Sequence, residues 1–331
     1  MKIINLLTLT FICNASAFVA PLATTTATAT ATSRMSSLQS AMFMSNNSAQ
    51  EQEEQASSNL SRRDIFWKVG VAASLTFLPT SSARAGDDAS GAIINIKNVV
   101  VAGATGQTGS RILNKLVSEP NNFTATGGVR NAAKATKSLG TSVSLKHLDV
   151  VEDSLDSLTA TLKDTGADGL VIACGMNPGK NLLRMSAAAH DVDNVGTIKL
   201  IDAAKQAGIK KVVLVSSILT NGREWGQEDS AGFKITNAFG GALDEKLVAE
   251  KYLRASGLDY TIIRPGGLKA TAPAGALSIN AEDTLNSGEV SRDLVADVCI
   301  ASLNDPNARN KVLEIIEDEG TPPKVFNGLS M

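Results

Sequence analysis

The chain has 331 residues, enough for one large α/β domain or two small ones. Hydrophobic residues at 43% supply a sizeable core, aromatics at 4% argue against a nucleic-acid module built on base stacking, and a net charge of −2 gives no general attraction for polyanions. The charge is uneven. Residues 1–85 hold six of the 31 Lys/Arg and four of the 33 Asp/Glu, which leaves 25 and 29 for residues 86–331.

The first quarter reads as three targeting signals in series. Residues 1–20, MKIINLLTLTFICNASAFVA, combine a Lys, an apolar run and a small-residue end, the pattern of a signal peptide. Residues 21–60 are rich in Thr, Ala and Ser and lack hydrophobic periodicity, as a transit peptide does. The junction Ala15-Ser16-Ala17-Phe18-Val19-Ala20-Pro21 resembles the Ala-Ser-Ala-Phe-Ala-Pro motif of presequences entering complex algal plastids. Within residues 61–85, Ser61-Arg62-Arg63-Asp64-Ile65-Phe66 is similar to a twin-arginine motif. The apolar run Val69 to Leu78 follows, then Ala83-Arg84-Ala85 as a cleavage site. That run is shorter than the ~20 residues a membrane span needs. The expected address is the thylakoid lumen, with the stroma as the alternative, and the expected mature chain, from about Gly86, has no membrane span.

From residue 96 short β-rich runs alternate with longer helical ones, the signature of a parallel sheet covered on both faces. Strands are expected at Ile96–Ala102, Phe123–Val129, Val143–Leu148, Leu170–Cys174, Val212–Ser216, Tyr260–Arg264 and Lys311–Ile316. Helices are expected at Gln107–Ser118, Asn131–Leu139, Ser154–Lys163, Asp193–Ala207, Ala242–Ser256 and Val290–Leu303. Gly208 and Gly257 stand where helix C-caps belong. The fold class is therefore α/β, a doubly wound parallel-sheet Rossmann fold over residues 86–331. Cys174 and Cys299 fall in core elements, and only two histidines exist, so no disulfide framework or metal site is expected.

The loop Gly103-Ala104-Thr105-Gly106-Gln107-Thr108-Gly109 lies between a buried strand and an amphipathic helix. Gly103 permits a tight turn, Gly106 lets the backbone approach a pyrophosphate, and Gly109 allows close helix–strand packing. The helix N-terminus, with Thr105, Gln107 and Thr108 around it, would hold the anion. The ribose is normally read about 20 residues on. There the sequence is Gly127-Gly128-Val129-Arg130, with no carboxylate to accept from a 2′-hydroxyl. Arg130 can pair a 2′-phosphate bidentately, with Lys134 one turn later, so NADP(H) is expected over NAD(H). Asp149 and Val150 after the third strand are placed to meet the adenine. Ala173, Cys174 and Gly175 after the fourth are placed beside the nicotinamide ribose.

Residues 98–316 resemble the atypical short-chain dehydrogenase/reductases, in particular the NAD(P)-binding, NmrA-like group that includes Tic62. The resemblance is carried by Val100–Gly109, Gly196–Gly208, Lys211–Ser217, Ala249–Gly267 and Val290–Asp297. It implies one Rossmann-like domain with a small C-terminal substrate lobe, and it assigns Lys246 to the family's lysine. One departure stands out. Active members relay a proton through a Tyr four residues before that lysine, and here Ala242 occupies the place. The chain has two tyrosines, Tyr252 and Tyr260, and neither has a Lys four residues on.

Ser216 or Ser217 would orient a substrate carbonyl or the nicotinamide amide, or cap the next turn. Arg264 is as readily structural as substrate-binding. His190 reads as a surface residue before a long helix, and Asn194 as a partner for backbone. Asn177-Pro178-Gly179 and Thr220–Gly241 read as loops over the cleft, where substrate choice would reside. Two functions fit: an NADPH-dependent reductase of a conjugated acceptor (a quinone, flavin or similar compound), with Ser217 and Lys246 as its catalytic candidates, or a non-catalytic NADP(H)-binding redox-sensing protein serving a photosynthetic assembly partner. Neither calls for nucleic acid.

Overall fold

The computed structural model describes residues 95–119, 122–177, 184–238, 240–323 and 329. The presequence signals read over residues 1–85 lie outside the described residues.

Eight strands form one sheet in the order β3-β2-β1-β4-β5-β6-β10-β8. These are β1 (Asn98–Ala102), β2 (Thr124–Val129), β3 (Ser144–His147), β4 (Gly169–Ile172), β5 (Lys211–Val215), β6 (Asp259–Pro265), β8 (Ala276–Asn280) and β10 (Lys311–Asp318). All neighbours run parallel except β8, which closes one edge antiparallel to β10. Two three-residue strands, β7 (Gly267–Lys269) and β9 (Glu289–Ser291), make a separate parallel pair.

The strand β1 shows why a continuous apolar run belongs at the centre of such a sheet. Val99 and Val101 point into one core with Ile112, Leu113 and Leu116 of α1 (Gln107–Ser118) and with Leu294, Val298 and Cys299 of α8 (Arg292–Asn304). Val100 and Ala102 point into the opposite core. There they meet Leu158 and Leu162 of α3 (Leu155–Asp164), Leu200 and Ile201 of α5 (Thr197–Ala207), and Leu253 of α7 (Ala242–Ala255). Each fully buried Leu or Ile contributes about 1.5–3 kcal/mol. The periodicity in sequence thus specified two layers of helix, one per face.

The structure departs from expectation in three places. The long helix begins earlier: α4 (Met185–Ala189) runs into a π-helical stretch, His190–Gly196, and on into α5. His190 is therefore inside the helix rather than before it. The segment Thr220–Gly241 contains a short helix, α6 (Ala231–Asn237), whose Phe233 joins Ile218, Leu219 and Leu243 in a third small core. The strands β7 to β9 were not anticipated. The helix α2 (Ala132–Leu139) fits its expected place, with Asn131 as N-cap accepting from the Lys134 N–H.

Candidate functional site

The strand order turns away from β1 in both directions, to β2 on one side and β4 on the other, and a groove opens beyond the C-terminal ends of these strands. Such a switch point is where open α/β sheets bind ligands. The groove encloses about 320 Å³. Gly103, Thr105 and Gly106 line its middle, Gly128, Arg130, Asp149 and Val150 one end, and Ala173, Cys174, Gly175 and Asn177 the other.

The glycine loop is built by close approaches. Gly103 adopts φ +80°, and a Cβ there would stand 2.8 Å from the Ala173 carbonyl oxygen. A Cβ on Gly109 would sit 2.3 Å from the Gly103 carbonyl oxygen, so the helix can lie this close to the loop only with glycine in that place. The Gly106 N–H donates to the Gly103 carbonyl at 2.9 Å, and α1 starts at once. Gly106 is its N-cap, with no side chain to satisfy the first-turn N–H groups and no acid in that turn. Those donors face an exposed rim, which is the cradle an anionic pyrophosphate requires. Thr105 and Gln107 are exposed, whereas Thr108 is buried beneath the turn.

Arg130 is exposed immediately after β2 and lines the groove, and no described carboxylate bridges it. Lys134 is exposed on α2, one turn after Arg130, and is not among the residues that line the groove. Asp149 turns the chain: its carboxylate accepts from the Val151 N–H at 3.0 Å and the Glu152 N–H at 3.4 Å. Burial pushes the Cys174 thiol up to about 12, aided by the charge of Asp193, so it stays protonated at neutral pH.

At the far end Lys246 of α7 donates to Asp193 Oδ1 at 2.8 Å. Asp193 is all but fully buried, in the π-helical stretch, and also accepts from the Met176 N–H at 3.2 Å. Nothing in the local sequence marked Asp193, because its partner is 53 residues away. Ser216 is committed elsewhere, donating to Glu250 Oε1 at 2.5 Å, while the Ser217 hydroxyl is half-buried and unbonded among the described residues. Asn194 donates to the Glu245 carboxylate at 2.6 Å, not to backbone, and the exposed His190 shares that carboxylate at 3.1 Å.

Arg264 proves structural. It is fully buried and bridges Glu250, Glu282, Asp283 and Glu314. Burial opposes its charge, but the hydrogen bonds and charge of Glu250, then of Glu282 and Asp283, outweigh that and raise its pKa. Neither tyrosine lines the groove; the Tyr252 hydroxyl donates to Asp202 at 2.6 Å on the outer face. Pro178 and Gly179 lie outside the described residues.

A Rossmann sheet with this glycine cradle defines a nicotinamide-dinucleotide protein. The chain belongs to the NAD(P)H-binding family, which matches residues 103–306, and its kinship with the atypical short-chain dehydrogenase/reductases holds. It is 41% identical to an uncharacterized chloroplastic protein of Arabidopsis thaliana, over 71% of this chain and 82% of the relative. It is 32% identical to the chloroplastic protein TIC 62 of Pisum sativum, over 68% of this chain but only 43% of that longer protein. Among solved structures it is similar to ChuY, an anaerobilin reductase of Escherichia coli O157:H7, with 28% identity, a TM-score of 0.55, and coverage of 69% of this chain and all of the other.

Proposed function

We propose that the protein is an NADPH-dependent reductase of a conjugated acceptor such as a quinone or flavin, working in a plastid. The observation that carries this reading is a dinucleotide groove with no tyrosine on its walls. Without a phenol to relay a proton, the acceptor has to be one whose hydride adduct is a stabilised anion that water can protonate. A conjugated ring system meets that condition and a simple ketone does not. A reductase among the structural neighbours supports the assignment.

When bound, NADPH would supply the hydride. Gly103, Gly106 and the first turn of α1 would hold its pyrophosphate, Arg130 its 2′-phosphate, and Asp149 and Val150 its adenine. Ala173 to Gly175 and Lys246 would flank the nicotinamide ribose. Ser217, whose hydroxyl is unbonded among the described residues, would orient the acceptor's oxygen. Three targeting signals and chloroplastic relatives favour the plastid, and the twin-arginine stretch favours its lumen.

The test is to titrate the purified chain with NADPH and then follow nucleotide oxidation at 340 nm against a panel of quinones and flavins. Turnover with at least one acceptor is expected. Tight NADPH binding with no oxidation by any of them would overturn the reductase and leave a nucleotide-sensing protein that assists a photosynthetic assembly.

A further inference from the structure

The groove has a direction. Arg130 and Asp149 mark the end toward β2 and β3, the α1 N-terminus marks the middle, and Ala173 to Gly175 mark the end beyond β4. A dinucleotide laid along it with its pyrophosphate on α1 and its adenosine toward β2 brings the nicotinamide to the Gly175 end. That ring is the one part of the nucleotide whose charge changes with redox state. Oxidised it is a cation, reduced it is neutral, and the phosphates and riboses are common to both.

At that same end stands a charged pair. A Cβ placed on Gly175 would lie 3.6 Å from Asp193 Oδ1 and 3.9 Å from Lys246 Nζ. Gly175 has no side chain, so nothing of its own stands between these charges and the groove it lines. The Asp193 side chain is 1% exposed and that of Lys246 20%, so solvent screens their fields weakly. Of the other charges, Glu245 holds His190 and Asn194, while Arg130 and Asp149, which also act on the Cys174 thiol, line the adenosine end and oppose each other there.

We propose that the Asp193–Lys246 pair sets the relative affinity of this groove for oxidised and reduced nucleotide. The buried carboxylate favours the cationic ring, the ammonium opposes it, and the two stand close to balance. The Cys174 thiol, which lines the groove, feels both charges: beyond the effect of burial, Asp193 pushes its pKa up and Lys246 pulls it down. This inference rests on the nucleotide reading of the groove and not on any acceptor, so it holds for a reductase and for a redox sensor alike.

The experiment is calorimetric titration of the full chain and its variants with NADP+ and with NADPH, read as the ratio of the two Kd values. Both ligands meet the same protein in each titration, so a lost ribose contact or a partly unfolded fraction cancels in the ratio. Lys246→Met should lower Kd(NADP+)/Kd(NADPH) about tenfold, and Asp193→Asn should raise it about tenfold. Lys246→Arg and the double variant Asp193→Asn/Lys246→Met should both stay within about threefold of wild type. Ratios that stay within threefold in both single variants, or that move in the same direction, overturn the proposal. Should Asp193→Asn fail to fold, Lys246→Met against Lys246→Arg decides alone. Failure of the wild type to bind either nucleotide would overturn the groove reading itself, and this inference with it.

Discussion

Arg130 and Asp193 show what single residues disclose and conceal. Arg130 was legible because the Rossmann loop fixes a ruler: count about 20 residues from the glycines and the ribose reader must appear. In the structure it lines the groove, exposed and unbridged by any described carboxylate, with its guanidinium available for a phosphate. Arg130→Ala should weaken NADPH binding by about 10- to 100-fold and leave NADH within about threefold, measured by direct titration of both. An unchanged NADPH/NADH preference would remove Arg130 from the site. The same ruler brings in Lys134, one turn on along α2 and exposed, though not among the residues that line the groove. Asp193 gave no signal at all. Its meaning comes from a lysine 53 residues on, and only the packing of two helices brings them to 2.8 Å.

Among the elements, long ones with strong apolar periodicity were readable nearly to the residue, and α1 matches its expected span at both ends. The small ones were not. Strands β7 and β9 have three residues each, too few for alternation to register, and α6 buries a single residue, Phe233. Buried charges, rather than local pattern, tie the chain together around them. Arg264 on β6 joins Glu250 of α7 and Glu314 of β10, and Glu314 in turn accepts the N–H groups of Asp283, Thr284 and Leu285. Arg264→Met leaves two fully buried carboxylates uncompensated, so a loss of about 3–5 kcal/mol is expected, seen as a Tm lower by roughly 10 °C. Glu317 plays a similar part for the small lobe. It accepts from the N–H groups of Ala274, Gly275 and Ser291 and from Lys269. Burial works to raise its pKa, but these donors outweigh it and hold the carboxyl below its usual value. A carboxylate depressed in the folded state stabilises fully above its unfolded pKa and loses that contribution as pH falls through the folded one. Glu317→Gln should therefore cost about 1.5–3 kcal/mol at neutral pH, and its Tm deficit should shrink as the pH is taken from 5 to 3. A deficit constant over that range would show that the charge of Glu317 contributes nothing.

For the molecule as a whole, the fold was the most legible property, because alternating buried strands and amphipathic helices admit few architectures. Its place in the cell rests on the first 85 residues. A fluorescent fusion of the full chain should reach the thylakoid lumen, and one carrying Arg62→Lys and Arg63→Lys should be retained in the stroma. If both are found in the stroma, the third signal has no targeting role. The sequence pattern predicts one regular helix from Asp193 onward; in the structure it opens with the π-helical stretch His190–Gly196, where the Thr197 hydroxyl reaches back five residues to the Val192 carbonyl. Such a stretch acts as a frameshift written in three dimensions. It holds one residue more than a regular helix would need, so removing a single residue, such as the exposed Val195, would let the helix close up and turn its residues from α4 to Asp193 by about 100° relative to α5. Asp193 would swing away from Lys246 while the core residues of α5 kept their places. The charge at the end of the groove thus hangs on one inserted residue.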